Sequence, residues 1–210
     1  MLQTQTVDRS TLELLKSLLD IPQLSKFALV GGTNLSLRLG HRLSIDLDIF
    51  TPEPFSPEFL GRIITNQFPD STIASQSENM LFMYVNDVKV DMVELPYPYI
   101  EPVETLDGIR LVSLPDIIAM KMSAIARRGV KKDFWDVAEL LDMYSLAEMI
   151  EFYKVKYKSN DIFHLLRALV YFVDAEKQKD NPVSLKKITW KQVKTKIQRA
   201  TENYLQRNKV

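Results

Sequence analysis

Two aspartates, Asp46 and Asp48, sit in the run Ile45-Asp46-Leu47-Asp48-Ile49, where acidic and apolar residues alternate. In a strand, successive side chains point to opposite faces. The alternation therefore predicts a strand with Asp46 and Asp48 on one face, and Ile45, Leu47 and Ile49 directed into a core. The Cα atoms of the two acids would lie roughly 6.5 Å apart, so their oxygens can converge on one hard divalent cation. Like charges so close are costly without a cation, and the pattern asks for a compensating charge.

Other residue types near this pair suit phosphate chemistry. Gly31-Gly32-Thr33 ends the apolar run Phe27–Val30. Glycines let backbone amides approach phosphate oxygens without a Cβ in the way. A helix starting at Thr33 would aim its N–H groups and positive dipole end at the same spot. Alone, Gly-Gly-Thr is most simply a turn; an Asp-x-Asp strand after it favours phosphate binding. Between the two stretches lie Arg38, His41 and Arg42, which form either a solvated turn or, through Arg42, a support for a carboxylate or phosphate. Ser44 shares the predicted face of Asp46 and Asp48, where its hydroxyl can orient a carboxylate.

Further along, Val88, Val90 and Met92 share one face of a predicted strand, and Lys89, Asp91 and Val93 share the other. Asp91 is either a working carboxylate, since burying an unpaired charge is expensive, or a solvent-facing residue partnered by Lys89. Lys121 lies on or beside the apolar face of a helix, where it needs water or a partner for its head. Asp133 and Asp136 occupy neighbouring parts of one helix face. The plainer readings there are Asp133 as an N-cap and Asp136 as a partner of Lys132.

These side chains need elements to hold them. Residues 10–20 read as an amphipathic helix capped by Ser10, with Leu12, Leu15, Leu18 and Leu19 on its core face. Phe27–Val30 reads as a short buried strand, and Leu35, Leu37 and Leu39 as one to two turns of helix. Ser56-Pro57 opens a helix running to about Phe68. Residues 71–95 read as β structure, with an Asn86-Asp87 hairpin turn. Ile109–Val112 is a short strand. Ser113-Leu-Pro-Asp116 then caps a helix ended by Gly129, and a second helix starts at Lys131. Helices over 145–175 and a basic C-terminal helix complete the chain. His164 falls in an apolar pattern and reads as a packed or surface histidine. From Lys177 to Lys209 there are ten Lys or Arg and two acids; this is either an ordinary wet face or a surface for a nucleic-acid backbone. Trp190, Val193, Ile197, Tyr204 and Leu205 form the apolar stripe of that last helix.

Gly31-Gly32-Thr33, followed by Arg42-x-Ser44-x-Asp46-x-Asp48-Ile49-Phe50, resembles the AbiEii/AbiGii-type nucleotidyltransferases, toxins within the DNA polymerase β-like superfamily. A second match lies some 70 residues on, at Lys121-x-x-Ala124, Arg128 and Lys132-Asp133-Phe134-x-Asp136. The family more often has Arg where Lys132 stands. The resemblance covers roughly residues 27–142. It implies an α/β (α+β) polymerase β-like core with a small mixed sheet over residues 1–112. Residues 113–210 would then be a helical C-terminal region completing the active site.

The resemblance further implies that Asp46, Asp48 and Asp91 bind Mg²⁺, with two metals, and that Glu94 is the fallback for the third carboxylate. Gly31, Gly32, Thr33, Arg42, Ser44, Lys121, Arg128 and Lys132 would bind the nucleotide. Lys121 would contact the triphosphate, and Asp136 would orient it or move a proton. The implied reaction moves an NMP from an NTP to an acceptor, with RNA and a tRNA 3′ end among the candidates. A cognate antitoxin is implied as partner. Two alternatives stay open: a small-molecule or protein nucleotidyltransferase, and a catalytically silent nucleotide-binding or interaction module.

Composition sets outer bounds. The chain has 210 residues, 46% of them hydrophobic, with 27 basic and 27 acidic residues, so net charge is silent on nucleic acid. The absence of Cys excludes disulfides and Cys-based zinc sites, and two His exclude a histidine-rich metal site. No signal-peptide pattern opens the chain, and no apolar run reaches the ~20 residues of a membrane helix. A cytoplasmic protein is the expectation.

Overall fold

The computed structural model describes residues 1–208. The chain divides into two compact units, the first spanning Met1–Ser113 and the second beginning at Leu114.

The first unit is α/β. Its elements are α1 (Arg9–Leu19), β1 (Ala28–Leu29), α2 (Gly31–Leu39), β2 (Leu47–Thr51), α3 (Pro57–Gln67), β3 (Ser71–Ser77), β4 (Met80–Val85), β5 (Val88–Glu94), β6 (Glu104–Leu106) and β7 (Ile109–Leu111). The strands form one mixed sheet in the order β3-β4-β5-β2-β1-β7-β6. The hairpin at Asn86-Asp87 forms as expected. Both residues take positive φ, 49° and 63°, the pair of left-handed positions that a two-residue turn between twisted strands requires. Ser56 Oγ accepts a hydrogen bond from the Phe59 amide and Pro57 opens α3, also as expected.

Parallel pairing of β2 with β5 is what organises the sheet around the acids. It places Leu47 opposite Val90, Asp48 opposite Asp91 and Ile49 opposite Met92. Leu47, Ile49, Val90 and Met92 are fully buried with Leu15 and Leu18 of α1 and Ile64 of α3 in one core. Each such side chain contributes about 1.5–3 kcal/mol through burial. A one-residue slip would bury the acids instead, so the core pins the register.

The predicted strand over Ile45–Ile49 needs correction. β2 starts only at Leu47, and Ile45 is 66% exposed rather than in the core. The segment before β2 is held irregular by other bonds. The Ser44 amide donates to Thr6 O at 2.9 Å, and Thr33 Oγ1 donates to the Asp46 carbonyl. The helix expected from Thr33 begins two residues earlier, at Gly31, and α1 begins at Arg9 with Asp8 rather than Ser10 at its N-cap. The solvated turn is also excluded, because His41 and Arg42 are buried.

A buried polar residue holds α2 on the sheet. Asn34 Nδ2 donates to Leu29 O at 2.8 Å and to Val112 O at 2.9 Å, and Arg38 Nε donates to Asn34 Oδ1 at 2.9 Å. Arg38 continues the chain of contacts to Glu104 at 2.8 Å. Arg110 closes the other approach: its guanidinium donates to the carbonyls of Leu19, Leu24 and Phe27. It thereby holds the end of α1 and the entry to β1.

The second unit is helical among its described residues: α4 (Leu114–Arg127), α5 (Lys131–Leu140), α6 (Leu146–Tyr157), α7 (Phe163–Leu169), α8 (Val173–Glu176) and α9 (Trp190–Asn208). Gly129, at φ 48°, ends α4. Asp116 and Lys156 are both fully buried, and Lys156 Nζ lies 2.6 Å from Asp116 Oδ1, clamping α6 to α4. Trp190 stacks on Trp135 at 5.6 Å and meets Phe134 and Phe172 edge-on, which docks α9 on α5. Among the described residues no helix is long and apolar enough to cross a membrane.

Replacing Asn34 with Ala removes two hydrogen bonds to carbonyls in the core and leaves a small void. The expected loss is about 2 kcal/mol, read as a lower urea midpoint with an unchanged m-value.

Candidate functional site

In the first unit, the sheet face opposite the core carries two of the three predicted carboxylates. Asp48 and Asp91 occupy matched positions on neighbouring parallel strands, so their side chains leave the same face side by side. Asp46 precedes β2 in irregular backbone. Its place is set by the Thr33 hydroxyl on its carbonyl, and Thr33 Oγ1 in turn lies 2.9 Å from Ser44 Oγ. Thr33 and Ser44 therefore hold the Asp46 loop from beneath. Thr33 is buried at 1% exposure; its side chain braces the loop, and its backbone amide remains the group available for phosphate chemistry.

Gly31 is required where it stands. Its φ is +68°, and a Cβ there would fall 2.3 Å from Asp48 Oδ2. Only glycine lets the N-terminus of α2 press this close against a carboxylate. A Cβ on Gly32 would fall 2.1 Å from Arg42 Nη2, so the Arg42 guanidinium lies across the same helix start. Arg42 Nη1 also donates to Leu43 O at 2.9 Å. The first amides of α2 lack intrahelical acceptors, as at any helix start, and this end carries the positive pole of the helix dipole.

Lys89 is the residue here whose weight the sequence understated. Its Nζ lies 2.6 Å from Asp91 Oδ2. Partial burial works against its charge. The hydrogen bond to Asp91 and the negative charges of Asp91, Asp46 and Asp48 outweigh that penalty, and the ammonium pKa is raised. All three acids thus act on one cation. The other Asp91 oxygen, Oδ1, is buried without a hydrogen-bond partner. Such an atom is costly unless something binds it. Among the described residues no three His, Cys, Asp or Glu groups are gathered closely enough to hold a metal ion. The donor chemistry nevertheless suits Mg²⁺, because the oxygens are hard and one is buried and unsatisfied.

The second unit carries the other predicted residues in one buried ionic network. Lys121 Nζ lies 2.7 Å from Asp136 Oδ2 and 3.0 Å from Asp133 Oδ1, with both carboxylates fully buried. Arg128 Nε reaches Asp133 Oδ2 at 3.0 Å. The partners that Lys121 needs on its helix face are therefore Asp133 and Asp136 of α5. Asp133 does more than occupy the first turn of a helix. Burial pushes its pKa up, but the charges of Lys121 and Arg128 and their hydrogen bonds dominate and hold it below the ordinary 3.8. Lys132 is exposed, in contrast to the buried Lys121. His164 Nε2 bonds the Ala126 carbonyl at 2.7 Å, beside a cleft of about 450 Å³ lined by Arg127, Arg128, Arg167 and Tyr171. In the basic C-terminal segment, Lys186, Lys194 and Lys196 pair with Glu139, Glu176 and Asp142. Lys187, Lys191, Arg199 and Arg207 are exposed.

Sequence reasoning missed Asn34 and the Asp116–Lys156 pair. The one available signal was a charged or amide side chain inside an otherwise apolar helix face.

The family model for the nucleotidyl transferase AbiEii toxin of type IV toxin–antitoxin systems matches residues 13–207. An uncharacterized protein of Aquifex aeolicus (strain VF5) is 34% identical over 200 residues, covering 92% of this chain and 95% of that protein. Two solved structures share the fold. JHP933 from Helicobacter pylori has a TM-score of 0.53 at 19% identity, covering 96% of each chain. The nucleotidyltransferase toxin MenT4 from Mycobacterium tuberculosis H37Rv has a TM-score of 0.55 at 11% identity, covering 84% of this chain and 74% of its own.

Removing Lys121 takes one counter-charge from two fully buried carboxylates, and Lys121→Met is expected to cost about 3–5 kcal/mol in a urea titration at pH 7. The pH dependence has a definite sign. Because the folded pKa of Asp133 lies below its unfolded value, its stabilisation is complete above about pH 4 and is lost as pH falls through the folded pKa. The stability gap between wild type and Asp133→Asn is therefore constant from pH 7 to 5 and narrows below pH 4.

Proposed function

The chain belongs to the AbiEii family of nucleotidyltransferase toxins of type IV toxin–antitoxin systems, and from that premise we propose that its carboxylate face transfers an NMP group from an NTP to an RNA acceptor. Family membership makes it a nucleotidyltransferase with a nucleotide substrate and an antitoxin partner. The observation that carries the proposal is the pairing of Asp48 with Asp91 on adjacent strands, against a glycine-lined helix start.

Asp46, Asp48 and Asp91 would hold Mg²⁺, with the unsatisfied Asp91 Oδ1 as one ligand. When bound, Mg²⁺ supplies charge that stabilises the entering and leaving oxygens of an in-line displacement. The chain's own groups do the rest. Amides of Gly31, Gly32 and Thr33, with the α2 dipole, donate to triphosphate oxygens. Arg42, lying over Gly32, adds fixed positive charge at that point. The acceptor hydroxyl attacks the α-phosphorus, and its proton passes to the Asp91 carboxylate. The bond between the α-phosphorus and the bridging oxygen breaks, and pyrophosphate leaves. In the second unit, Lys121 is held by Asp133 and Asp136. Asp136 orients it, and Arg128 shares Asp133 with it.

An RNA acceptor is supported by the exposed cations Lys187, Lys191, Arg199 and Arg207 of the C-terminal segment, which suit a phosphodiester backbone. A tRNA 3′ end is the specific form of that proposal. The experiment incubates the protein with each α-labelled NTP, Mg²⁺ and total RNA, beside Asp48→Asn, Asp91→Asn and Gly31→Ala. We expect label on RNA with the wild type, a loss of at least about 100-fold in each aspartate variant, and at least tenfold in Gly31→Ala. Label on protein or a small molecule would overturn the RNA acceptor. Label on RNA that persists undiminished in the aspartate variants would overturn the site.

A further inference from the structure

Asp48 and Asp91 on one sheet face, with Asp46 just before β2, need counter-charge, and Lys89 is a cation the chain itself places there. Lys89 and Asp91 are two residues apart on β5, so their side chains leave the sheet on the same face. The ammonium takes Asp91 Oδ2 at 2.6 Å and leaves Asp91 Oδ1 buried without a partner. It is also within electrostatic reach of Asp46 and Asp48. The Lys89 side chain is 44% exposed, whereas that of Asp91 is 17% exposed. The lysine therefore has a more open route to water than the carboxylate.

We propose that Lys89 is a resident counter-cation of the carboxylate face, and that a divalent ion must displace its ammonium from Asp91 to bind there. The inference rests on the reading of Asp46, Asp48 and Asp91 as metal ligands. Its physical basis is competition for one carboxylate. An ammonium 2.6 Å from Asp91 Oδ2 already takes up negative charge that a divalent ion on Oδ1 would need. Two positive charges on one carboxylate repel each other. A flexible four-carbon stem lets the lysine withdraw into solvent, which an arginine or a second fixed cation would not do as readily. Lys89 thus stabilises the fold when no ion is bound and raises the ion concentration needed to load the site.

The test is calorimetric titration of the full chain with Mn²⁺, which serves as probe for a hard divalent ion. Melting curves are recorded with and without Mn²⁺. Lys89→Met is expected to bind Mn²⁺ about tenfold more tightly than wild type, the scale of one unit charge removed from a half-exposed site. The same variant should melt lower without Mn²⁺ and gain more from adding it. Lys89→Gln, which keeps polarity and loses charge, should follow Lys89→Met, and serves if the methionine variant folds poorly. Unchanged or weaker Mn²⁺ binding in both variants would overturn the displacement. Asp48→Asn and Asp91→Asn separate the two levels. If they leave wild-type Mn²⁺ affinity unchanged, the carboxylate site itself is wrong. If they weaken it while the Lys89 variants do not strengthen it, only the role of Lys89 falls.

Discussion

Mutual repulsion among Asp46, Asp48 and Asp91 is the constraint on which the first unit turns. Asp48 and Asp91 cannot leave one sheet face side by side, with Asp46 close before β2, unless the rest of the fold holds them there and supplies compensation. The hold comes from the opposite face. Leu47, Ile49, Val90 and Met92 are sealed in the core, so β2 and β5 cannot slip relative to each other without exposing them. The compensation comes from the start of α2, from Arg42 over Gly32, and from Lys89. Burial on one face thus secures a charge pattern on the other that would not assemble by itself.

The positive side of this balance depends on where α2 begins. Gly31 at φ +68° lets the first turn of the helix approach Asp48 to a distance that any side chain would block. That approach would be useless if the helix could move. Asn34 prevents it by giving both amide hydrogens to carbonyls at the ends of β1 and β7, and Arg38 locks the amide in that orientation. Thr33 takes the Asp46 carbonyl from the same helix. One short helix therefore positions the glycine amides and the Asp46 loop together.

The second unit solves a similar problem differently. It buries its charges outright and pairs them: Lys156 with Asp116, and Lys121 with Asp133 and Asp136. Buried ion pairs contribute little net stability, because desolvation consumes most of the attraction. Breaking one is nevertheless expensive, so each pair dictates how its two helices meet. The aromatic cluster of Phe134, Trp135, Phe172 and Trp190 then supplies the apolar burial that holds α9 in place.

Much of this architecture is legible in the sequence. The Asn86-Asp87 hairpin, the Ser56-Pro57 helix start and the Gly129 stop follow from local backbone chemistry, which a few adjacent residues decide. The family and fold class follow from two short motifs in order, because Gly-Gly-Thr with Asp-x-Asp, and then Lys121 with Asp133 and Asp136, rarely occur together by chance. Local pattern misleads at Ile45, whose alternation with Asp46 and Leu47 resembles strand sequence. Backbone bonding decides otherwise, since Thr6 and Thr33 claim the polar groups that a longer β2 would have paired. Likewise, no spacing rule could join Asp116 to Lys156, 40 residues away, or set Lys89 against three acids from two strands and a loop. Periodicity tells which face of an element a residue occupies. Which charges end up facing one another depends on strand order and helix packing, and those are settled by long-range burial of apolar surface.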